Sequence, residues 1–393
     1  MNSLVSVFTG LEVIKKDQFS LLKGLNIGLV VNAASVDSHF NSTIDLFQAT
    51  RGLNLVALFG PQHGIWGETQ DNMIEWEGFR DVRTGLPVYS LYGKTRSPLP
   101  EMLENLDCLV IDLPDVGARY YTFVWTMVLC LKACKENKVS CIVLDRPNPI
   151  NGNMIEGPVL EPEFSSFVGL YPLPIRHGMT IGELALYFNR EFGIDCELTV
   201  VPMKGWQREM WFENTGLPWI MPSPNMPTPD TAIVYPGMAL LEGTNVSEGR
   251  GTTRPFEIFG KPGIDPYELV KALKREGLPG VKYRPLYFIP TFNKYQGEIC
   301  GGAQIYVTDR STFLPVLTGI AILRTMYHLY PETFKWRDPP YEYEKDKLPI
   351  DILLGTDKIR IQIEKGYSLE EISFSWKEQI EDFRTRTRPY LLY

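Results

Sequence analysis

Short, nearly unbroken apolar runs alternate along the chain with longer stretches whose apolar residues recur at every third or fourth position. Runs of the first kind occupy 25–32, 53–59, 108–112, 140–145 and 197–202. Each is rich in Leu, Ile or Val and stops at polar residues, as strands covered on both faces do. Between them, 123–137 carries apolar side chains at helical spacing, and Thr180-Ile-Gly-Glu183 ahead of 184–192 forms a capping box that opens a helix. The alternation predicts βα units, hence an α/β fold with a Rossmann-like, doubly wound, mostly parallel sheet. Ligands of such sheets bind beyond the carboxyl ends of the strands, where Asn32, Gln62, His63, Asp112 to Asp115 and Asp145 to Asn148 stand.

The texture changes where Pro218, Pro222, Pro224, Pro227 and Pro229 crowd together and forbid regular structure. A boundary just after them divides the chain into 1–231, the Rossmann-like domain, and 232–393, a smaller α/β or α+β domain. Two domains suit 393 residues. The second is expected to hold strands at 302–307 and 358–363 and helices at 266–276, 313–329 and 368–382.

Composition narrows the function. Lys and Arg number 39 against 47 Asp and Glu, a formal charge of -8 without a basic patch, which excludes nucleic acid as the expected partner. The segment from Met1 to Lys23 has no secretory pattern and no apolar run is long enough to span a membrane, so cytoplasmic residence is expected unless a leader has been removed. The 6 cysteines form no Cys-x-x-Cys pair and read as reduced core residues. None of the 4 histidines makes a spaced pair for zinc, so neither metal nor cofactor is expected. Gly-x-Gly-x-x-Gly after the first strand, Gly-x-x-x-x-Gly-Lys-Ser/Thr and Gly-x-Ser-x-Gly are all missing. Carboxylate chemistry remains.

The richest candidate is the loop Glu242-Gly-Thr-Asn245-Val-Ser-Glu248-Gly-Arg250-Gly, in which glycines let the backbone approach a ligand among two carboxylates, an amide and a guanidinium. The competing expectation is that one Glu simply pairs with Arg250, or that Glu248 caps a turn. At the strand ends, Asp112 and Asp115 are candidate acids or bases with Arg119 and Tyr120 beside them, although Asp115 equally suits a helix cap. Asp145, Arg146 and Asn148 form the next group. His63, following Gln62, offers an acid/base or an orienting donor, with Glu68 and Glu75 nearby. His177 precedes the capping-box helix, and Asn225 sits in a rigid Ser-Pro-Asn-Met-Pro segment.

Taken in order, Gly60-Pro-Gln-His-Gly64, Asp115-Val-Gly-Ala-Arg-Tyr-Tyr-Thr122, Leu144-Asp-Arg-Pro-Asn-Pro149, Glu156-Gly-Pro158, Arg176-His-Gly-Met-Thr180, Pro222-Ser-Pro-Asn-Met-Pro227 and Glu242-Gly-Thr-Asn-Val-Ser-Glu-Gly-Arg-Gly-Thr252 resemble the NamZ-type exo-β-N-acetylmuramidases. The resemblance implies a cleft between two domains and release of N-acetylmuramic acid from the non-reducing end of peptidoglycan fragments. Glu242, Glu248, Glu68, His63, Asp112 and Asp115 are then the catalytic candidates. Gln62, Arg119, Tyr120, Asp145, Arg146, Asn148, His177, Asn225, Asn245 and Arg250 are the substrate-binding ones. It further requires Asp112, Asp145 and Glu242 to converge on one groove. The sequence departs from the family at Gln62, where the resemblance implies glutamate and an amide cannot exchange a proton as a carboxyl does. Three consequences stay open: an altered substrate, transfer of the role to Glu68 or Glu75, or a sugar-binding protein without turnover.

Overall fold

The computed structural model describes residues 7–71 and 73–393, so the first six residues of the segment read for a leader lie outside it. Among the described residues no helix is long and apolar enough to cross a membrane.

The strands, in chain order, are β1 (Asn26–Val31), β2 (Asn54–Gly60), β3 (Phe79–Arg80), β4 (Pro87–Ser90), β5 (Cys108–Asp112), β6 (Ser140–Leu144), β7 (Glu156–Val159), β8 (Pro174–Arg176), β9 (Leu198–Val201), β10 (Ile258–Lys261), β11 (Val281–Phe288) and β12 (Cys300–Val307). Seven form the main sheet, in the order β3-β4-β2-β1-β5-β6-β9. Every neighbouring pair is parallel except β3 with β4. The five apolar runs supply β1, β2, β5, β6 and β9, and all five residues of β5 are buried, as double coverage demands. With β2 and β5 on opposite sides of β1, the connections diverge there, and a crevice opens beyond the carboxyl ends of the strands.

A second, antiparallel sheet runs β10-β12-β11, and β7 pairs with β8 in a separate hairpin. One continuous apolar core joins the halves, with Phe59 and Ile111 of the main sheet in the same cluster as Ile320, Leu354 and Phe383. The six cysteines are free and buried.

Two expectations fail in the carboxyl-terminal half. Residues 358–363 were expected as a strand because Ile359, Ile361 and Ile363 alternate with polar residues, but Lys358–Glu364 is a helix. Ile359 and Ile363, four apart, share its buried face, and Arg360 pairs with Glu364 one turn on at 3.1 Å. The helix expected over 368–382 is two, Leu369–Phe374 and Lys377–Thr387.

One packing feature places the site. Helices Pro229–Met238 and Pro315–Leu329 cross with their backbones touching, since a Cβ on Gly237 would lie 1.9 Å from the Pro315 carbonyl oxygen. Only glycine fits, and the contact fixes the first helix, which runs into the 3-10 turn Ala239–Gly243 carrying Glu242.

Candidate active site

Beyond the ends of β2 and β5 lies a cavity of about 560 Å³, counting the space open at its mouth. The loop after β2 contributes Gln62 and His63, and the loop after β5 contributes Tyr120 to Phe123. Ser223, Asn225 and Met226 form one wall; Tyr235, Glu242 and Arg250 another; Tyr341 and Glu342 close it. Each group arrives from a different part of the chain, which is why the shared core matters.

Glu242 is 5% exposed. Its Oε1 accepts from Arg250 Nη2 at 2.9 Å and its Oε2 from the Tyr341 hydroxyl at 2.9 Å. Arg250 also reaches Glu248 through Nε at 3.2 Å, and Lys294 Nζ lies 2.9 Å from the other Glu248 oxygen. Burial alone would push the Glu248 carboxyl up, but the Lys294 and Arg250 charges outweigh it and hold the group below its ordinary range. Glu248 is therefore a buried counter-ion that braces Arg250 from behind the cavity.

His63 occupies the left-handed region at φ 69°, uncommon for a side chain with a Cβ. Its Nδ1 lies 2.7 Å from the Thr69 carbonyl, an acceptor, so Nδ1 carries the ring proton. Burial lowers its pKa to about 4, and the imidazole is neutral at pH 7. Gln62 accepts at Oε1 from the Thr122 hydroxyl at 2.7 Å, which turns its carbonyl end toward the protein. Asn225 donates to the Gln70 carbonyl at 2.6 Å, and Tyr120 donates to the Pro236 carbonyl.

Glu342 was not among the residues singled out from the sequence. It is 5% exposed, its Oε2 accepts from the Tyr92 hydroxyl at 3.0 Å, and its Oε1 makes no hydrogen bond to the described residues. Burial raises its pKa to about 7, the charge of Glu242 adds to the rise, and the Tyr92 hydrogen bond opposes it. Its backbone lies at φ 43° and that of Tyr343 at φ 72°, inside a turn closed by Tyr341 and Glu344. The signal that could have found it is Pro339-Pro-Tyr-Glu-Tyr-Glu344, a proline-led turn alternating aromatic and acidic residues.

The strand-end acids behave otherwise, which corrects the expectation that Asp112, Asp145 and Glu242 share one groove. Asp112 is fully buried, gripped by Arg146 Nε at 2.5 Å and Nη2 at 2.9 Å and by the Thr43 hydroxyl at 2.5 Å. Asp145 caps the helix Ile181–Glu191 through the Gly182 N–H at 2.7 Å and accepts from Thr180 at 2.8 Å and from the Tyr393 hydroxyl at 2.6 Å. Asn148 bridges Met179 and Ile150. Arg119 donates to the carbonyls of Pro158, Leu173 and Leu353 and is sealed in the core. His177, its Nδ1 accepting from Met179 N, points Nε2 at Asp115 from 3.2 Å, and Asp115 also accepts from the Gly117 N–H at 2.7 Å. Asp115 and Arg146 border a separate cleft walled by prolines, Phe212 and Trp219. Asn245 ties down Thr333 and Lys335. Glu68 is exposed near Gly64, and Glu75 pairs with Arg96 at 3.1 Å and with the Tyr343 hydroxyl, both outside the cavity lining. Of the sequence candidates, the cavity thus gathers Gln62, His63, Tyr120, Asn225, Glu242 and Arg250.

Known proteins resemble the chain over nearly its whole length. The family described as exo-beta-N-acetylmuramidase NamZ matches residues 27–230 through its N-terminal profile and 233–393 through its C-terminal profile. The peptidoglycan beta-N-acetylmuramidase NamZ of Bacillus subtilis (strain 168) is 49% identical over 387 residues, covering 98% of this chain and 91% of that protein. Two crystal structures of DUF1343 family proteins from Bacteroides fragilis share the fold. One superposes with a TM-score of 0.89 at 37% identity and the other with 0.78 at 31%, each match covering 99% of both chains.

Proposed function

Because the chain belongs to the exo-beta-N-acetylmuramidase NamZ family, we propose that it is a glycoside hydrolase that releases terminal N-acetylmuramic acid, or a related amino sugar, from peptidoglycan fragments. The observation that carries the reading is Glu242, a carboxylate fixed by Arg250 and Tyr341 on the wall of a cavity lined by hydrogen-bonding and aromatic side chains. Glycosidic cleavage passes through an oxocarbenium-like state, and a carboxylate already held in place stabilises the growing positive charge without reorganising.

The remaining lining serves recognition. Arg250, whose Nε and Nη2 are held by Glu248 and Glu242, has Nη1 left to donate to the lactyl carboxylate of muramic acid. The Gln62 amide, the Ser223 hydroxyl and the carbonyl oxygen of Asn225 offer hydrogen bonds to sugar hydroxyls and the N-acetyl group. Tyr121 and Tyr235 present apolar faces to the ring. Aryl β-glycosides of N-acetylmuramic acid, N-acetylglucosamine and glucose test the reading. Turnover is expected with the muramic derivative first, and folded protein that cleaves none of them contradicts it.

Gln62 favours a second reading, a sugar-binding protein without hydrolysis. Tight muropeptide binding with no product, together with activity gained in Gln62→Glu, supports that reading over the first.

A further inference from the structure

We infer that Glu342 is the catalytic proton donor, giving its proton to the glycosidic oxygen while Glu242 faces the anomeric carbon. The assignment rests on the hydrolase reading above and deepens it, because that reading leaves the acid unplaced. Each other group near the cavity is unsuited. Gln62 is an amide with no acidic proton. The one ring proton of His63 is committed to the Thr69 carbonyl, and the ring is neutral. Glu242 is ion-paired with Arg250, and Glu248 sits behind it between two cations. Glu68 is exposed and outside the lining.

Glu342 has the surroundings an acid needs. It is buried, has no ion pair with the cations of the site, and faces Glu242, whose charge disfavours a second carboxylate nearby. The charged and titratable groups around it are Tyr92, Arg96, Glu242, Arg250 and, on its own turn, Tyr341 and Tyr343; burial and Glu242 raise its pKa, while Tyr92 and the two arginines lower it. The net value of about 7 keeps a large share of it protonated at neutral pH. The Tyr92 hydroxyl occupies Oε2, leaving Oε1 to carry the proton into the cavity.

The step balances simply. The proton on Glu342 passes to the glycosidic oxygen as the bond from that oxygen to C1 breaks, and the electron pair leaves with the oxygen. A water oxygen then bonds to C1, and the proton it sheds returns to the pair of carboxylates, which ends the cycle with the proton count it began with.

Leaving-group dependence tests the assignment. An acid matters for a poor leaving group and little for a good one. For Glu342→Gln, which is the same shape as the protonated side chain, turnover of a phenyl glycoside is expected to fall by about 10² to 10⁴. A 2,4-dinitrophenyl glycoside of the same sugar should lose less than about tenfold. Wild-type turnover of the phenyl substrate falls as pH rises through about 7, and Tyr92→Phe, which removes a hydrogen bond favouring the charged form, moves that limb to higher pH. Equal losses on both substrates, or a limb that stays in place in Tyr92→Phe, overturn the assignment while leaving the hydrolase reading intact. A folded wild-type protein that cleaves neither glycoside of any sugar in the panel overturns both. Cleavage confined to a sugar other than muramic acid corrects the substrate alone.

Discussion

The molecule holds two sets of buried acids, and they are built oppositely. At the ends of β5 and β6, Asp112 and Asp145 have their oxygens filled by Arg146, Thr43, Thr180, Tyr393 and the Gly182 N–H. Those partners come from distant stretches of chain, so the acids act as rivets. In the cavity, Glu242 is clamped but lines open space, and Glu342 keeps an oxygen unengaged by the described protein. Glu242 has both oxygens taken, as Asp112 and Asp145 do, and differs from them in lining the cavity, whereas Glu342 also keeps an oxygen for something that is not protein; on the proposed reading these two features separate reacting acids from scaffold acids.

Substitutions should separate the two sets. The largest effect is expected at Glu242→Gln, where turnover falls by about 10² to 10⁴ with little change in unfolding midpoint. A proportionate loss of stability would move Glu242 to the scaffold side. Asp112→Ala strands the buried Arg146 guanidinium and should cost about 3–5 kcal/mol in denaturant unfolding, with turnover per folded molecule largely retained. A stable Asp112→Ala protein with abolished turnover would move Asp112 into the reacting set.

The smallest effect is expected at Tyr393→Phe and depends on pH. Burial raises the Asp145 carboxyl from 3.8 to about 6, so the folded state binds its proton more tightly than the unfolded one. Stability from this group accordingly falls as pH rises between those values and levels off above them. The Tyr393 hydroxyl favours the charged form, and its removal should carry that fall to higher pH, costing about 1.5–3 kcal/mol well above pH 6 and less below pH 4. Unfolding midpoints across that range check it, and a pH-independent difference would mean that the hydroxyl does not act through Asp145.

How much of this was legible in the chain depended on whether neighbours in sequence carried the information. The parallel sheet was, since each long apolar run needs cover on both faces. The strand expected over 358–363 was not, because six residues with alternating isoleucines satisfy a period of two as well as a helix with Ile359 and Ile363 on one face. In the site, the glycine-spaced loop pointed to Glu242 and Arg250, and the strand-end rule pointed to Gln62 and His63. The same rule also pointed to Asp112, Asp145 and Asn148, because sequence shows that a polar group stands at an edge but not whether a distant hydroxyl or guanidinium satisfies it. Glu342 escaped for the converse reason. It lies 100 residues from Glu242 and reaches the cavity only through a turn whose backbone conformation is not written in its residue types.

The most direct test is a crystal structure of the Glu342→Gln protein soaked with an N-acetylmuramic acid glycoside. The sugar is expected with its anomeric carbon between Glu242 and residue 342 and its lactyl carboxylate toward Arg250. A sugar bound instead in the proline-walled cleft against Arg146 and Asp115, with the Glu242 cavity vacant, would contradict the account.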